Sequence, residues 1–411
     1  MLRLLTENTL DREDNNMAEW IECTLGDLVT FQRGHDLPKS QMQEGQYPVV
    51  GSNGIIGFHN KYTTDEPSIT IGRSGNVGKP FIYYGKTWSH NTTLYIKDYK
   101  GNDPVFVFYF LKTLDLANYA GGSAVPTLNR NHIHTLPICV PKSVEQQKKI
   151  GIFLKKFDEK IKTNESINNN LEQQAQTLFK SWFVDFEPFD ESFIDSPIGT
   201  KIPHSLQMVQ IGSLPHILET GKRPKGGAVA TGVPSIGAEN VKRLGEVNFA
   251  SAKYIPVEFA QKMDKGKVHG YELMLYKDGG KPGTFIPHFS MFGEGFPYDD
   301  FFINEHVFML DFGDKGFNEF CYFYLQTDYP YNWLANNGGK AAVPGINQQD
   351  VNSIWIYPPD NPLVKEYCKW VQPIFTTILR NCSQNVKLSQ LRDALLPKLM
   401  SGELDVSNID L

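Results

Sequence analysis

Residues 72–80 are the part of this sequence closest to a nucleotide-binding motif. They are GRSGNVGKP and combine three glycines with Lys79, and a glycine-rich loop that ends in Lys can cradle phosphate groups. Arg73, however, occupies the place of the first glycine in that pattern, and no Ser or Thr follows Lys79. A β-type run, FIYY, follows where a helix should begin. The sequence therefore predicts a glycine-rich turn between two strands, and no nucleotide site.

Two other motifs could hold a target amine or a metal ion, and both are incomplete. YPPDNP (residues 357–362) has the paired prolines of the Asn/Asp-Pro-Pro-aromatic motif of amino-methyltransferases, but Tyr357 stands where the amide or carboxylate belongs. His132 and His134 flank a β-type run, and a His-x-His pair without further ligands is more often structural than metal-binding. There is no HExxH and no nucleophile elbow. We predict a chain with no catalytic centre, no metal site and no cofactor.

The cysteines and the start of the chain predict a reduced, cytoplasmic protein. An odd number of cysteines without CxxC spacing supports neither a zinc knuckle nor a disulfide framework, and favours reduced, mostly buried thiols at Cys23, Cys139, Cys321, Cys368 and Cys382. No apolar run approaches the roughly 18 residues that span a bilayer. The first residues lack the features of a signal peptide. Residues 1–16 are polar and acidic after Leu5, as in a disordered extension or an overlong start.

The charge balance counts against a DNA-binding protein that works alone. The chain has 411 residues, enough for two or three domains, and a formal net charge of −6. Residues 20–142 carry 11 basic and 9 acidic side chains (11 − 9 = +2), whereas residues 203–360 carry 13 and 17 (13 − 17 = −4). Binding to DNA would require cations concentrated on one face, or a partner that neutralises phosphates.

Two long segments of the chain match each other, which predicts a duplicated architecture. LGDL (25–28) matches IGSL (211–214) at an offset of 186, and at that offset Pro48, Val50 and Gly51 match Pro234, Ile236 and Gly237. At an offset of 218, Gly121, Ala124-Val125-Pro126 and Asn129 match Gly339, Ala342-Val343-Pro344 and Asn347. At an offset of 220, Leu171, Ser181 and Asp185 match Leu391, Ser401 and Asp405. The second copy therefore has about 30 additional residues (218 − 186 = 32).

Each copy combines short β-type runs with helices, which predicts a mixed α/β (α+β) fold. The strand candidates are residues 47–58, 81–85 and 306–313. The segments 105–122 and 317–339 are expected to be helices that end at glycine.

A long amphipathic helix is predicted to follow each globular part. Apolar residues recur every three or four positions from about Val144 to Trp182 and from Val364 to Leu395. Each seam is interrupted near its middle, at Asn164 and Asn168 and at Asn381 and Asn385. Antiparallel pairing would place the two polar gaps opposite each other, as in a coiled coil; the alternative is that each helix packs on its own domain. Pro373 predicts a kink or a late start of the second helix.

Several segments of both copies resemble the specificity subunits of type I restriction-modification systems. LFKSWFVDFEPF (178–189) and LRDALLPKLMSGEL (391–404), which close the two helices, resemble the conserved regions of that family. LGDLVTFQRG (25–34), YPVVGSNGIIGFHNKY (47–62), HNTTLYI (90–96) and GGSAVPTLNRNHIHTLPICVP (121–141) resemble its target recognition domains. The resemblance covers residues 20–406, and the second copy is the more divergent.

The resemblance implies a non-catalytic subunit with two target recognition domains. The expected segments are an extension (1–19), a first domain (20–142), a first helical spacer (143–202), a second domain (203–360) and a second helical region (361–411). Each domain would read half of a bipartite site in double-stranded DNA. The paired helices would set the spacing and dock two modification (methyltransferase) subunits, and restriction (ATPase-nuclease) subunits would join them. S-adenosylmethionine, ATP and Mg would bind only in those partners.

Candidate DNA contacts are amide and charged side chains near turns, since such groups can bond base edges and phosphates. In the first copy they are Arg33, His35, Lys39, Ser52, Asn53, Arg73, Asn76, Lys79 and Asn91. In the second copy they are Lys222, Arg223, Lys225, Glu239, Asn240, Lys242, Arg243, Lys277 and Lys281. Asn and Gly also stabilise tight turns on their own. The GKRPK (221–225) and GRSGNVGK loops are therefore better candidates than any single residue.

Apolar side chains cluster at the ends of the two predicted helices. They could dock a modification subunit or pack on their own domains: Leu178, Trp182, Phe183, Phe186, Leu395, Leu399 and Met400. A rival to the whole interpretation is a free-standing DNA-binding regulator, which would bind specifically alone. A second rival is a fused DNA-modifying enzyme with unrecognised motifs, which would need a methyl-donor or metal site.

Overall fold

The protein divides into two compact units. The structure, a computed structural model, describes residues 19–122, 126–340, 343–406 and 409. Unit 1 runs to residue 160 and resumes at residue 388, and unit 2 comprises residues 161–387. The predicted extension, apart from Glu19, and parts of the repeat matches at 124–126 and 342–344 lie outside the described residues. The division passes through both long helices, and the predicted domain bounds stay predictions.

Unit 1 contains the first eleven strands that the described residues form, with short helices between them. Its strands are β1 (Trp20–Thr24), β2 (Thr30–Arg33), β3 (Tyr47–Gly51), β4 (Gly54–His59), β5 (Ser68–Gly72), β6 (Pro80–Tyr83), β7 (Trp88–Ser89), β8 (Thr93–Asp98), β9 (Ala120–Gly121), β10 (Thr127–Leu128) and β11 (Pro137–Pro141). Its helices are α1 (Leu25–Leu28), α2 (Pro104–Thr113), α3 (Arg130–His134) and the first part of α4 (Val144–Phe183).

Two small sheets and one strand pair form the frame of unit 1. One sheet has the order β2-β8-β5-β6, the second has the order β4-β3-β7 with β3 and β7 parallel, and β1 pairs with β11. Every residue of β5 is buried, because the β-branched Ile69 and Ile71 pack in the apolar core with Phe106 of α2. Asp103 starts α2 by accepting the Phe106 N–H at 2.8 Å, with Pro104 as its first residue.

Unit 2 contains the remaining strands. They are β12 (Phe193–Asp195), β13 (Lys201–Pro203), β14 (Val209–Gln210), β15 (Ile217–Thr220), β16 (Val233–Ile236), β17 (Lys253–Ile255), β18 (Leu273–Tyr276), β19 (Phe289–Met291), β20 (Phe302–Ile303), β21 (Val307–Asp311) and β22 (Trp355–Ile356). Its helices are α5 (Val257–Ala260), α6 (Lys315–Tyr324), α7 (Asp328–Gly338), α8 (Gln348–Asn352), the rest of α4 and most of α9 (Pro362–Met400).

The strand order of unit 2 repeats that of unit 1. Its sheets have the orders β15-β21-β18-β19 and β17-β16-β20, with β16 and β20 parallel, and β14 pairs with β22. Asp314 starts α6 as Asp103 starts α2, by accepting the N–H of the third helical residue. The duplication predicted from the repeat offsets is therefore confirmed in the fold. The hairpin of β12 and β13 follows α4.

The two long helices pair antiparallel, as the polar gaps predicted. In unit 2, the Asn164 side-chain amide donates to Gln384 Oε1 and Asn385 Oδ1, each at 2.8 Å. Asn381 donates to Asn168 Oδ1 at 2.8 Å. Asn164 is 1% exposed, so these bonds satisfy buried amides and fix the register of the two helices.

The same pairing holds within unit 1, where the first part of α4 meets the last part of α9. Arg392 bonds to Asp158, and Leu396 and Leu399 share the apolar core with Phe153 of α4. The first helix, expected from about Val144 to Trp182, ends one residue later, at Phe183. No helix in the described part of the chain has a stretch long and apolar enough to cross a membrane.

Two helix predictions from the sequence were wrong in their bounds. The segment 105–122 contains a helix that ends at Thr113, whose hydroxyl donates to the Phe110 carbonyl at 2.7 Å, and a separate 3₁₀ turn follows. The segment 317–339 is two helices, α6 and α7, because Pro330 has no N–H to continue α6 and is tolerated in the first turn of a new helix. Gly339 does cap α7 as expected.

Of the two alternatives predicted from Pro373, a kink or a late start of the second helix, the late start was wrong. α9 begins at Pro362, where Asn361 Oδ1 accepts the Leu363 N–H at 2.9 Å, and it continues through Pro373 to Met400. Pro373 lies on an exposed side of the helix. The carbonyl left without a helical donor at Lys369 can therefore be hydrated, which makes the proline tolerable in the helix.

Candidate nucleic-acid interface

In unit 1 the loop after β2 is fixed against the loop after β7. Gly34 N–H donates to Thr93 O at 3.0 Å, and His35 N–H donates to Ser89 O at 2.8 Å. A Cβ on Gly34 would lie 2.1 Å from the His90 carbonyl oxygen, so no other residue fits without moving the backbone. The two loops therefore present their side chains from a fixed frame.

Three polar side chains meet on this loop pair. The Asn91 side-chain amide donates to the Asp36 carboxylate. The Arg33 guanidinium lies 3.7 Å from the same carboxylate, and both side chains are more than half exposed. The His35 ring packs on Tyr95. Three of the predicted residues, Arg33, His35 and Asn91, are thus brought together on one surface.

Unit 2 has the same loop pair with different side chains. Gly221 N–H donates to Asn304 O at 3.2 Å, and a Cβ on Gly221 would lie 1.6 Å from the Ile303 carbonyl oxygen. The Arg223 guanidinium lies 3.5 Å from the Glu305 carboxylate on the facing loop. Lys222 forms an ion pair with Asp264. Two cations of the predicted GKRPK loop therefore already have acidic partners.

Equivalent positions of the two loop pairs carry different charges. Arg223 occupies the place of Asp36, two residues after the fixed glycine, and Glu305 occupies the place of Asn91, two residues after the parallel strand. Carboxylates, amides and guanidinium groups accept or donate on different base edges. Asp36 and Glu305 were not among the predicted contacts, which were mainly amides and cations. Their positions close to the repeated glycines and parallel strands were the signal in the sequence.

The GRSGNVGK segment is the turn between β5 and β6, as predicted. Arg73 N–H donates to Thr92 O at 2.8 Å, and the Arg73 guanidinium donates to Asn91 O at 3.4 Å. Lys79 is exposed, with its ammonium 5.7 Å from the centre of the Phe81 ring. Arg73 is therefore near the loop pair, on a backbone held by its neighbours.

The remaining predicted residues divide into buried and exposed groups. Ser52 and Asn240 are buried; Ser52 N–H donates to Thr92 Oγ1 at 3.2 Å and Asn240 Oδ1 accepts the Asn248 N–H at 2.7 Å, so both hold loops. Glu239 forms an ion pair with Lys253 at 2.8 Å. The exposed side chains are Lys39, Asn53, Lys225, Lys242, Arg243 and Lys281, and Asn76 is half-buried.

The histidines singled out in the sequence lie in α3 and do not flank a strand, which corrects that prediction. His134 Nε2 accepts the Phe31 N–H at 3.0 Å. Burial lowers the pKa of His134, with a contribution from Arg130, so the ring stays a neutral acceptor. Across the described ranges no group of three His, Cys, Asp or Glu side chains could hold a metal ion.

The comparisons with known proteins agree on one family. A family model described as the type I restriction modification DNA specificity domain matches residues 17–173. The type I restriction enzyme MjaIX specificity subunit of Methanocaldococcus jannaschii is 28% identical over 312 residues, which cover 74% of this chain and 70% of that protein. The HindI specificity subunit of Haemophilus influenzae is 24% identical over 370 residues, covering 73% and 77%.

The fold is also similar to that of a solved structure. The crystal structure of a type I restriction-modification S subunit from M. genitalium superposes with a TM-score of 0.61 at 17% identity, over 94% of this chain and 98% of that one. In sequence and in fold the chain is similar to the type I restriction-modification specificity subunits. It has the role of a specificity subunit and is not one of the catalytic subunits.

The apolar residues predicted to dock a partner pack inside their own units of the specificity subunit. Phe183 is 4% exposed in the core of unit 2, and Leu178, Trp182 and Phe186 are partly buried against it. Leu399 and Met400 are buried in the core of unit 1, with Leu395 partly buried beside them. The sequence allowed two roles for these residues, docking of a modification subunit or packing on their own domains. The described contacts account for the packing.

The cysteines of the specificity subunit are free thiols, but they are less buried than predicted. Cys321 is buried, three are half-buried and Cys139 is exposed. Cys139 stands in β11 opposite Glu22 of β1, on the face of that strand pair that turns away from the core. The alternation of a two-stranded pair explains this position, because every second residue points to solvent.

Proposed function

We propose that each unit of this specificity subunit reads one half of a split, asymmetric DNA sequence. The observation that carries the proposal is the pair of fixed loops that occurs in both units, with Gly34 and Gly221 in equivalent places. A common backbone with different side chains is what reading two different half-sites requires. Arg33, His35, Asp36 and Asn91 would contact one half, and Arg223 and Glu305 the other.

We also propose that the subunit works inside a larger complex. The relatives are named as subunits of type I restriction enzymes, and the net charge of −6 leaves phosphate neutralisation for partners to share. In this proposal α4 and α9 set the distance between the half-sites and dock two modification subunits, which restriction subunits join. S-adenosylmethionine, ATP and Mg would bind in those partners, and this chain would bind no cofactor.

An exchange of one recognition segment tests the proposal. Residues 20–141 carry both strands of the β1·β11 pair, so they are replaced as one piece by the matching segment of a relative with a known target. We expect one half of the methylated sequence in cells to change and the other half to stay. The matched control exchanges residues 206–359 and should change the other half.

Two outcomes would overturn the proposal. A change in both halves after either exchange would show that specificity is shared between the units. Specific binding of the target by the purified chain alone, with methylation in cells unaffected by its deletion, would favour a free-standing regulator.

A further inference from the structure

Unit 1 contains a cleft in which three arginines converge. Its volume is about 540 Å³, and its walls include Arg33, Arg73, Leu128, Asn129, Arg130 and His132. Among the described residues that line the cleft, none has an acidic side chain. Two of the arginines were predicted DNA contacts, whereas Arg130 and His132 were not among the predicted contacts.

The backbone holds each of these arginines in place. Arg33 is the last residue of β2, Arg73 directly follows β5, and Arg130 is the first residue of α3. The Leu128 N–H donates to Arg73 O at 2.8 Å, which ties two walls of the cleft together. Guanidinium groups on fixed backbones lose less conformational entropy when they bind an anion than the same groups on mobile loops would.

Most of the hydrogen-bonding capacity of these arginines is unused. Arg73 makes one long bond, to the Asn91 carbonyl at 3.4 Å, and Arg33 approaches Asp36 at 3.7 Å. Within the described ranges Arg73 and Arg130 form no ion pair. Each guanidinium has five N–H donors in a planar fork that matches the oxygens of a phosphate group.

The equivalent place in unit 2 can be assigned residue by residue. The Ile346 N–H donates to Lys277 O at 2.8 Å, as the Leu128 N–H does to Arg73 O. Asn347 starts α8 as Asn129 starts α3. Lys277 therefore occupies the position in unit 2 that Arg73 occupies in unit 1, and Gln348 occupies the position of Arg130.

The remaining positions follow from the same registers. Thr220 pairs with Phe308 as Arg33 pairs with Leu94, so Thr220 occupies the position of Arg33. Asp350, the third residue of α8, occupies the position of His132, the third residue of α3. Unit 2 thus has one cation where unit 1 has three. The Lys277 ammonium lies 3.4 Å from Asp278 and donates to Glu305 O at 3.0 Å, and Gln348 donates to Leu218 O at 2.7 Å.

We propose that the cleft of unit 1 binds the phosphodiester backbone of duplex DNA, and that unit 2 has no equivalent site. Arg73 and Arg130 each contact a phosphate, with Arg33 completing the positive surface. The half-site read by unit 1 then supplies more of the salt-dependent affinity. This inference rests on the proposed function, because it assigns a role within DNA binding.

The test is a salt series of DNA affinity for the full chain assembled with its modification subunits. Each phosphate contact contributes about 0.9 to the slope of log affinity against log salt. Changing Arg73→Gln and Arg130→Gln should flatten the slope by about 1.8, which reduces the loss of affinity between 50 and 200 mM salt by about tenfold. The methylated sequence should stay the same, since phosphate contacts carry no base information.

Two further variants keep the result interpretable. Lys97→Gln with Lys148→Gln removes the same charge from exposed positions of unit 1 outside the cleft, and should leave the slope nearly unchanged. Arg73→Lys with Arg130→Lys keeps the charge and should restore most of the slope. An unchanged slope in the Gln variant, or an equal change in the Lys97/Lys148 control, would overturn the inference. A wild-type complex without sequence preference would instead overturn the proposed function.

Discussion

Units 1 and 2 have the same strand order and very different surfaces. The frame is held in both by the same devices: a glycine pressed against a carbonyl, at Gly34 and Gly221, and an asparagine that starts a short helix, at Asn129 and Asn347. The side chains on that frame differ in charge and type. Backbone contacts therefore specify the fold, which leaves the loop side chains free to differ between the two units.

The helix pair differs between the units in the same way. In unit 1 its polar contact is ionic: Arg392 bonds to Asp158, which also accepts the Tyr109 hydroxyl at 2.5 Å. In unit 2 it is neutral, formed by the amides around Asn164 and Asn168. Burial and the nearby Asp158 raise the pKa of the Tyr109 hydroxyl, which therefore stays a donor at neutral pH.

The largest effect should come from lengthening the helix pair. Asn168 lies in the polar gap of the helix pair and bonds to Asn381 and to the Ile378 carbonyl, so an insertion in one helix alone would break these contacts. Four residues are therefore inserted in both helices, after Asn168 in α4 and between Thr377 and Ile378 in α9, so that all the amide partners stay on the same side of each insertion. Helix rise is about 1.5 Å per residue, so the addition is about 6 Å.

An addition of that length corresponds to about two base pairs of DNA. If the helices set the spacing, the methylated sequence should keep both half-sites and gain about two unread base pairs between them. Methylome sequencing makes the measurement, and an insertion in α4 alone is the control. Methylation of the original sequence by the doubly lengthened chain would show that the helices do not set the distance.

The ionic contact of unit 1 should be more sensitive to loss of one partner than the amide contact of unit 2. Arg392→Met leaves the Asp158 carboxylate without a cation, and Arg392 is only 16% exposed. We expect a loss of about 2 kcal/mol in unfolding free energy, and a smaller loss when Asp158→Asn is added. Asn385→Leu leaves Asn164 its second acceptor, Gln384, and should lose about 1 kcal/mol. Urea unfolding measures the unfolding free energy of each variant. Equal losses for Arg392→Met and Asn385→Leu would contradict the distinction between the two contacts.

The helices α2 and α6 offer a test in which unit 2 gains stability. Glu319 of α6 is 0% exposed and, within the described ranges, its carboxyl has no hydrogen-bond partner. Burial raises its pKa to about 9. The folded-state pKa of Glu319 therefore lies above the unfolded-state pKa of about 4.3. The contribution of Glu319 to the unfolding free energy is fully present below about pH 4.3 and is lost as the pH rises towards 9.

Replacing this carboxyl should stabilise the protein at neutral pH. Glu319→Met should add about 1–3 kcal/mol of unfolding free energy at pH 8 and flatten the dependence on pH between 5 and 8. The same change at Phe108, which stands at the equivalent position of α2, should destabilise by about 1 kcal/mol. Thermal unfolding across pH makes the measurement. A Glu319→Met protein whose stability falls with pH as steeply as wild type would contradict this assignment.

The smallest effect is expected at the GKRPK loop. Removing its three cations (Lys222→Gln, Arg223→Gln and Lys225→Gln) should weaken DNA binding by the complex and flatten the salt slope by about one. Removing three unpaired cations that contact phosphates would flatten the slope by about 2.7. A smaller change is expected because Lys222 and Arg223 already have acidic partners. Asp264→Asn frees Lys222 and serves as the matched control, with a steeper slope expected. A wild-type slope in the triple variant would place the loop away from DNA.

The repeated architecture and the long helices could be predicted because their signals are local and periodic. The helix from Val144 was placed to within one residue at its end, and the polar gaps at Asn164 and Asn381 predicted the pairing. The GRSGNVGK turn followed from its glycines. Helix ends at Thr113 and at Tyr324 were missed, since hydroxyl–carbonyl bonds and a proline in a new first turn decide them.

The site was only partly predictable, because it depends on which loops meet. Arg33 and Arg73 were among the candidates, but their convergence with Arg130 requires the strand order β2-β8-β5 and the position of α3. The pairing of Arg223 with Glu305 joins residues 82 positions apart (305 − 223 = 82), and composition alone gave no sign of it. A sequence pattern shows which residues can bind, whereas tertiary contacts decide which are already occupied.

A chain that contains the unit 1 segment twice would show whether each unit reads its own half-site. Residues 206–359 are replaced by a second copy of residues 20–141, which matches both repeat offsets (20 + 186 = 206 and 141 + 218 = 359) and keeps the strand pair that closes each segment. Methylome sequencing then identifies the target. If each unit reads its own half, the methylated sequence will contain the unit 1 half-site twice and will have lost the other half. A target that still contains the original second half would contradict the account.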